Sequence, residues 1–362
     1  MPATARLRFW RFRCGRKTRT PKADSWVDQF GSPGIYTKLF DIDKVDLVIS
    51  GYGTNIIAPA MQLVMQHNRV FMSLAGLAVN EHFHYDKYFQ IFPFGPDPKL
   101  NFARGFFDVA MGMDPKPKTV AISVADSEFP QTAAAGARKW AKKYGLKIVY
   151  DGSFPPNQVD FAPILRAVQS TNPDIVYISC FPPNTVGIVR AVNEMAFKSM
   201  LIGGGMVGPQ YATVKQQLGP LLNGFMSFES YVPARTTDFP GIKEFLARYK
   251  PKAIAAGVDS LGYYLPPFSY AGMQILTTAA EAAKSLDQNK IGEYIHGTTH
   301  HTIVGDIRFG ADGEWSEARV LQVQYQNVKG NGLEQFEQPG TQVVLFPAAY
   351  KSGTLEYPFG KR

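Results

Sequence analysis

The chain has 362 residues, of which 45% are hydrophobic, so it can bury a sizeable core and has the length of about two domains. Its net charge is +8, but eight of the 38 Lys and Arg residues lie in the first 22 positions. The other 30 balance the 30 Asp and Glu residues, which argues against a nucleic-acid surface on the rest of the chain. Two cysteines, Cys14 and Cys180, are too few for a disulfide framework.

Neither a membrane span nor an export signal is recognisable. No apolar stretch reaches the roughly 18 residues that a membrane helix needs. The basic segment at the start lacks the apolar centre of a secretory signal and the paired arginines of a twin-arginine signal. The compartment therefore has to be inferred from the remainder of the chain.

From about residue 44, short apolar runs alternate with segments of helical periodicity, which is typical of βαβ units and a parallel sheet. Continuous apolar runs indicate strands that are covered on both faces. The predicted strands are VDLVIS (45–50), RVFMSL (69–74), KTVAISVA (118–125), LKIVYDG (146–152), PDIVYISCF (173–181), SMLIGG (199–204), VLQVQYQNV (320–328) and QVVLF (342–346).

Helices are predicted between these strands. Apolar residues at i, i+3, i+4 and i+7 follow a candidate N-cap at Asp160, and a second such series follows Asp238 and Pro240. An aromatic turn runs into a long helix within 262–286. Pro-rich or Gly-rich stretches at 113–118 and 234–241 are candidate domain boundaries.

The segment GYGTN (51–55) lies between a predicted strand and a predicted helix, where α/β folds bind ligands. It is not a dinucleotide fingerprint, because Ile56 occupies the third glycine position, and it lacks the Gly-Lys-Ser/Thr ending of a phosphate-binding loop. Thr54 and Asn55 can cap the helix, whose free N–H groups can hold a carboxylate or another polar acceptor. A purely structural turn is the alternative.

Histidines in EHFHYD (81–86) and at 300–301 suggest a metal site, but their spacing is weak and no thiolate accompanies them. A solvated loop explains them better. The sequence contains no Gly-x-Ser-x-Gly elbow and no Cys-x-x-Cys pair, so no nucleophile for catalysis is visible. We therefore expect no catalytic residue, no bound metal and no cofactor.

Aromatic residues gather at predicted strand ends and helix starts. Most of them are expected to be core residues, but Phe181 precedes Pro182 beyond the end of a strand, where α/β sheets form their crevice. The other members of this group are Tyr52, Phe129, Tyr263, Tyr264, Phe268 and Tyr270.

In five tracts the chain resembles periplasmic substrate-binding proteins of ABC transporters, of the leucine/isoleucine/valine-binding (type I) family. The resemblance runs from about Pro33 to Tyr350, and the order of the tracts is more specific than any one of them. The tracts are KVDLVISGYGTNIIAPAM, RVFMSLAGLA, KTVAISVADSEFPQTAAAGARKWAKKYGLKIV, DFAPILRAVQSTNPDIVYISCFPPNTVGIVRAVNEMAF and IVGDIRFGADGEW.

The resemblance implies an α/β fold with two doubly wound parallel-sheet lobes joined by a three-strand hinge. It suggests residues 33–115 plus 252–318 for lobe 1 and 116–251 plus 319–355 for lobe 2, with a third chain crossing near 311–319. Before Pro33 we find no resemblance, so residues 1–32 are expected to be an atypical basic segment outside the fold. Lobe 1 is accordingly expected to be incomplete, through a misassigned start or a shifted reading frame.

The resemblance also implies the ligand site. It places Tyr52, Gly53, Thr54 and Asn55 against the carboxylate of the ligand or its equivalent. A second ligand loop would hold Ser73, Ala75, Gly76 and Leu77, and aromatic positions that close over the ligand in the other lobe match Phe129 and Phe181. The acidic residue that binds the α-ammonium group in amino-acid binders would fall near Gly205.

Two departures from the family pattern change the expected ligand. The usual hydroxyl residue is replaced by Leu77, and no acid lies near Gly205. A buried ammonium group without a carboxylate partner is costly, which disfavours a zwitterionic amino acid. Amides, urea, aromatic acids and other small organic acids fit better.

The resemblance therefore implies a monomeric, periplasmic solute-binding protein that takes a small amino-acid-like, amide or aromatic/organic-acid ligand. It would close by hinge motion and deliver the ligand to the membrane subunits of an ABC permease, without an enzymatic step. A cytoplasmic amide or organic-acid sensor with the same fold is the alternative. An α/β enzyme of dehydrogenase or hydrolase type would need a phosphate fingerprint or a nucleophile.

Overall fold

The computed structural model describes residues 32–360, in which strands and helices alternate as in an α/β protein. The strands are β1 (Val48–Tyr52), β2 (Phe71–Leu74), β3 (Tyr88–Gln90), β4 (Thr119–Ala125), β5 (Lys147–Phe154), β6 (Ile175–Cys180), β7 (Leu201–Met206), β8 (Met226–Glu229), β9 (His300–Thr302), β10 (Gly305–Ile307), β11 (Leu321–Tyr325) and β12 (Gln342–Phe346). The helices are α1 (Ser32–Thr37), α2 (Thr54–Gln66), α3 (Asn80–Phe83), α4 (Pro98–Met111), α5 (Glu128–Lys143), α6 (Ala162–Ser170), α7 (Pro182–Glu194), α8 (Ala212–Leu218), α9 (Ile242–Ala256), α10 (Pro266–Ala283) and α11 (Gln288–Gly297).

Two main sheets form from these strands. The first has the order β1-β2-β3 and is parallel, with Phe71 of β2 paired to Val48 on one side and Tyr88 on the other. The second has seven strands in the order β12-β11-β8-β7-β6-β4-β5. Its strands β4 to β8 are parallel, whereas β11 runs antiparallel to both β8 and β12. The expected α/β fold with parallel sheets is confirmed.

Within residues 32–360, three chain segments cross between the two sheets. They are residues 91–97 after β3, 230–234 after β8, and 316–320 before β11. Arg319 N donates a 2.9 Å hydrogen bond to Pro93 O, and Leu321 pairs with Glu229. A Cβ atom on Gly95 would lie 2.7 Å from the Cβ atom of Ala318, and Gly95 has φ +77°, so only glycine allows this close approach. These segments form a three-stranded hinge.

The packing of two helices differs from the lobe boundaries that the sequence suggests. Helix α4, placed in lobe 1 by the boundary at 115, lies on the seven-stranded sheet, where the Phe106 ring is 5.4 Å from that of Tyr177. Helix α9 runs through the boundary at 251–252 without a break, and its Phe245 ring is 5.1 Å from that of Tyr270 in α10. Proline-rich segments of the sequence need not lie where the chain passes from one lobe to the other. We therefore propose that the three hinge segments are the boundaries between the lobes.

An apolar core continues through the hinge from one lobe to the other. Near the first sheet, the Phe92 ring stacks on the Phe268 ring at 4.6 Å. On the second-sheet side, the Phe102 ring is 4.6 Å from the Phe228 ring. Of the segment 1–32, which is expected to lie outside the fold, residues 1–31 are outside the described residues. Ser32 is part of the fold, because it is buried and its hydroxyl donates a 2.8 Å hydrogen bond to Ile56 O. The expected incompleteness of lobe 1 stays a prediction.

Candidate functional site

A cavity of about 280 Å³ lies between the two lobes, at the carboxyl ends of strands from both sheets. Tyr52 ends β1, Phe181 follows β6, and Phe228 lies near the end of β8. Ligands of open α/β sheets bind at such strand ends. The lining residues are Tyr52, Gly53, Thr54, Asn55, Ile56, Ala75, Phe94, Phe102, Phe129, Phe181, Phe228 and Tyr264.

One wall of the cavity is the start of helix α2. Gly53, with φ +90°, occupies the N-cap position, and its carbonyl accepts hydrogen bonds from Ile56 N and Ile57 N, both at 3.0 Å. The prediction that Thr54 and Asn55 cap this helix by their side chains is wrong, because both lie within its first turn. The Thr54 hydroxyl instead accepts a 3.0 Å hydrogen bond from Leu77 N, which ties α2 to the neighbouring loop.

That neighbouring loop, residues 74–77, rests on the buried side chain of Gln90. Its Oε1 atom accepts a 3.1 Å hydrogen bond from Ala75 N, and its Nε2 atom donates a 2.7 Å hydrogen bond to Gly76 O. Ala75 has φ +66°, a left-handed conformation that is rare for a residue with a side chain. The Gln90 amide thus holds Ala75 in place at the cavity wall.

Three tyrosines meet where the lobes touch beside the cavity. The hydroxyl groups of Tyr52 and Tyr264 are 2.9 Å apart, and Tyr52 also forms a hydrogen bond with Tyr211. The Tyr264 ring is 5.6 Å from that of Tyr211, which lies in the loop before α8. Burial raises the pKa of all three phenols, so their hydroxyls are neutral donors and acceptors at physiological pH.

The opposite wall is a run of phenylalanine rings. Phe102 is central, with ring centroids 5.5 Å from Phe129, 4.6 Å from Phe228 and 5.9 Å from Phe94. Phe129 continues the run to Phe181 at 6.1 Å. Several of these contacts are edge-to-face, the geometry that aromatic rings prefer. This wall is apolar and suits a flat or branched apolar group.

None of the described residues that line the cavity carries a charged side chain. The acid next to the lining in sequence is Glu229, which is 1% exposed and accepts hydrogen bonds from Tyr325 OH at 3.2 Å and Gln342 Nε2 at 3.1 Å. Its Oε1 atom lies 3.8 Å from Nζ of the equally buried Lys215. Burial raises the pKa of Glu229 to about 7, against the opposing effect of Lys215. This acid is already engaged away from the cavity.

Seven of the eleven binding residues expected from the sequence line this cavity. The other four do not. Ser73 is fully buried and accepts a hydrogen bond from Tyr88 OH, while Leu77 is 1% exposed behind the loop. Gly76 lies over Gln90, and Gly205 lies inside β7, where a Cβ atom would be 2.6 Å from the Tyr177 hydroxyl. Their assignment to ligand binding stays a prediction.

Five lining residues were not among those expected to bind ligand. Phe228 belongs to a strand of four residues, and Phe94 and Phe102 belong to the hinge and to helix α4. None of these positions ends a strand that is visible in the sequence. Tyr264 belonged to the wider aromatic group. Its position in the aromatic turn that leads into the long helix was the signal in the sequence that could have identified it as a lining residue. The remaining residue is Ile56.

The histidine-rich segments form no metal site in the described part of the chain, where no group of three or more His, Cys, Asp or Glu residues is placed to hold an ion. His301 Nδ1 instead lies 2.7 Å from Asp306 Oδ1, and His300 Nε2 lies 3.0 Å from Ile295 O. Within residues 32–360, no helix combines the length and the apolar character needed to cross a membrane.

Comparison with known proteins gives consistent matches. "Leu/Ile/Val-binding protein homolog 8" of Brucella abortus (strain 2308) is 24% identical over 225 residues, which cover 60% of this chain. The match spans only 55% of that relative's length. A leucine-binding protein from Thermotoga maritima superposes with a TM-score of 0.70 at 20% identity, covering 83% of each chain. A solute-binding protein from R. palustris in complex with benzoate has a TM-score of 0.70 at 13% identity, covering 91% of this chain and 85% of that one.

The family model described as "Periplasmic binding protein" matches residues 7–328, which is most of the chain. The match begins at residue 7, within the basic segment, so the expectation that no family resemblance precedes Pro33 is wrong. The superpositions show that this chain shares its fold with these solved structures. The chain therefore belongs to the periplasmic binding protein family of substrate-binding proteins, with the type I fold.

Proposed function

We propose that this chain is the solute-binding component of an ABC importer. It binds a small amino-acid-like, amide or aromatic/organic-acid ligand between its lobes and delivers the ligand to the permease subunits in the membrane. The observation that carries the proposal is the cavity of about 280 Å³ whose walls come from both lobes. A pocket shared by two lobes couples ligand binding to their closure. The proposal assigns no chemical step to the chain.

The contacts around the cavity support binding by hinge closure. Tyr52 from the first lobe bonds to Tyr211 from the second, and Asp259 Oδ2 accepts a 2.7 Å hydrogen bond from Ala212 N at the start of α8. Such contacts exist only when the lobes meet. A ligand that touches both walls stabilises this arrangement over the open one by the difference in its affinity for the two.

The names of two relatives support the proposed type of ligand. One is named as a Leu/Ile/Val-binding protein homologue, and a solved neighbour is a solute-binding protein in complex with benzoate. The description of the matching family supports a periplasmic location. We further propose that the chain acts as a monomer, with permease subunits as its partners.

Isothermal titration of the full chain with benzoate, benzamide, urea and leucine tests this function. We expect one of these compounds to bind with a stoichiometry of one. Phe181→Ala removes part of the cavity wall and should weaken that binding at least tenfold, at a cost of about 1.4 kcal/mol or more. Tyr270→Ala is the matched control, because Tyr270 is 46% exposed and lies outside the cavity. Failure of all these compounds to bind would refute the function.

A further inference from the structure

We propose that the ligand is an aromatic carboxylate that carries no ammonium group. This inference rests on the proposed function and narrows its ligand class. It depends on three features of the cavity, namely an aromatic wall, a polar end without a positive or negative side chain, and a volume of modest size.

The aromatic wall indicates a ring in the ligand. Phe102, Phe129, Phe181 and Phe228 contribute ring faces and edges, and three of the four are at most 9% exposed. Aromatic pairs in edge-to-face or offset geometry gain affinity beyond the apolar area that they bury. A ligand ring in this position would continue the chain of ring contacts that runs from Phe228 through Phe102 to Phe129.

The polar end indicates an acceptor group on the ligand. Thr54 and Asn55 form the first turn of α2, a helix of 13 residues, and their amides precede the first bonded amide, Ile56 N. Tyr264, which is 5% exposed, lines the same cavity. When its hydroxyl accepts the hydrogen bond from Tyr52 OH, its own proton can be donated to an oxygen of the ligand. Helix N-termini favour negative charge, and a carboxylate can accept from amides and hydroxyls together.

The absence of a charged lining residue in the described chain disfavours an ammonium group. An ammonium group that loses water needs a carboxylate or several acceptors in exchange. Glu229 could bind an ammonium group only if it lost its hydrogen bonds with Tyr325 and Gln342. It would also have to move away from Nζ of the buried Lys215. The volume, about 280 Å³, is at the lower limit of pockets for drug-sized molecules, so a single-ring acid suits it.

Four compounds separate the ring from the ammonium group. 3-Phenylpropanoate and phenylalanine differ only by the α-ammonium group, as do 4-methylpentanoate and leucine. In titrations of the full chain, we expect 3-phenylpropanoate to bind at least about tenfold more tightly than phenylalanine. We also expect it to bind about two- to twelve-fold more tightly than 4-methylpentanoate, the range that an aromatic contact provides.

A matched pair of variants checks that the cavity wall is responsible. Phe181→Leu keeps an apolar side chain but removes the ring, so the preference for 3-phenylpropanoate over 4-methylpentanoate should fall towards one. Tyr270→Leu, on the surface of α10, should leave that preference unchanged.

Each outcome decides between the two proposals. Tighter binding of phenylalanine or leucine than of the matching acids would overturn this inference and leave the solute-binding function standing. In that case Glu229→Gln should abolish the preference if Glu229 is the ammonium partner. Equal binding of 3-phenylpropanoate and 4-methylpentanoate would overturn the aromatic part. Binding of benzamide or urea alone would overturn this inference and leave the function standing. If these four compounds, benzoate, benzamide and urea all fail to bind, the function is refuted as well.

Discussion

Glu314 is a buried acid without a hydrogen-bond partner in the described part of the chain. It is 3% exposed, and neither carboxylate oxygen has a hydrogen-bond partner among residues 32–360. Burial raises its pKa well above the ordinary value, and the negative charges of Asp312 and Glu81 add to this effect. In the folded protein the neutral acid is therefore the favoured form, whereas the unfolded chain ionises at the usual pH.

This difference makes the free energy of unfolding depend on pH. Above the pKa of the unfolded chain, the folded state holds more protons, so stability falls as pH rises until the folded-state group ionises too. Glu314→Gln should remove this fall in stability with pH, because the amide does not ionise. We compare the free energies of unfolding of the variant and the original protein, measured with denaturant at pH 5 and at pH 8. The difference in favour of the variant should be larger at pH 8 than at pH 5 by about 1–3 kcal/mol.

Glu317→Gln serves as the control for this substitution. Glu317 is exposed and lies three residues further along the same loop region. Its replacement should change stability equally at both pH values. If Glu314→Gln also shifts stability equally at pH 5 and pH 8, Glu314 is not held neutral in the folded protein.

At the level of residues, sequence and resemblance together located the polar end of the site better than its apolar wall. Tyr52 ends β1, and Thr54 lies two residues later, which marks both as residues at the carboxyl end of a predicted strand. Phe102 and Phe228 could not be identified in this way, because one lies in a helix and the other in a strand of four residues. Gln90 acts only through Ala75 and Gly76, and no sequence pattern marks a residue whose role is to hold a loop.

Among the secondary-structure elements, the loop before α10 and the start of α8 form the clearest contact between the lobes. Asp259 Oδ2 accepts from Ala212 N at 2.7 Å, while its Oδ1 accepts from Leu261 N and Gly262 N within its own loop, both at 3.0 Å. The carboxylate therefore joins the loop that carries Tyr264 to a helix of the second lobe. This contact should contribute to closure.

Asp259→Asn isolates the contact between the lobes. The amide oxygen can still accept from Leu261 N and Gly262 N, but an NH₂ group then faces Ala212 N and cannot accept from it. We expect the ligand affinity to fall about 5- to 30-fold in titration calorimetry, which corresponds to about 1–2 kcal/mol for a lost charge-assisted hydrogen bond.

Asp160→Asn is a matched control, since Asp160 Oδ1 accepts a 3.0 Å hydrogen bond from Ala162 N within the second lobe. An asparagine keeps that bond, and ligand affinity should stay unchanged. Unchanged affinity in Asp259→Asn as well would show that this contact does not contribute to closure.

Long elements were predictable and short ones were not. All eight predicted strands are present, with bounds that differ by at most about three residues, because continuous apolar runs mark buried strands. The four missed strands, β3, β8, β9 and β10, have three or four residues each, too few to show a period. The equally short β2 was predicted because it ends the longer apolar run RVFMSL (69–74). The packing of α4 on the seven-stranded sheet was also not predicted, because the periodicity of a helix does not indicate which sheet it covers.

At the scale of the whole molecule, the order of the five family-like tracts implied two lobes and a hinge. The composition of the chain alone did not imply this architecture. The hinge depends on pairings between distant segments, such as Arg319 N with Pro93 O, which a single sequence does not reveal. The arrangement favours closure, because the cavity walls belong to different lobes and, within residues 32–360, three hinge segments connect these lobes.

Small-angle X-ray scattering combined with titration calorimetry tests this account most directly. The full chain is measured alone and with a saturating amount of the compound that binds most tightly. We predict one ligand per chain, a smaller radius of gyration in the bound form, and a bound-state curve that matches the closed arrangement of residues 32–360. Stoichiometric binding that leaves the scattering curve unchanged would contradict closure of the lobes over the ligand.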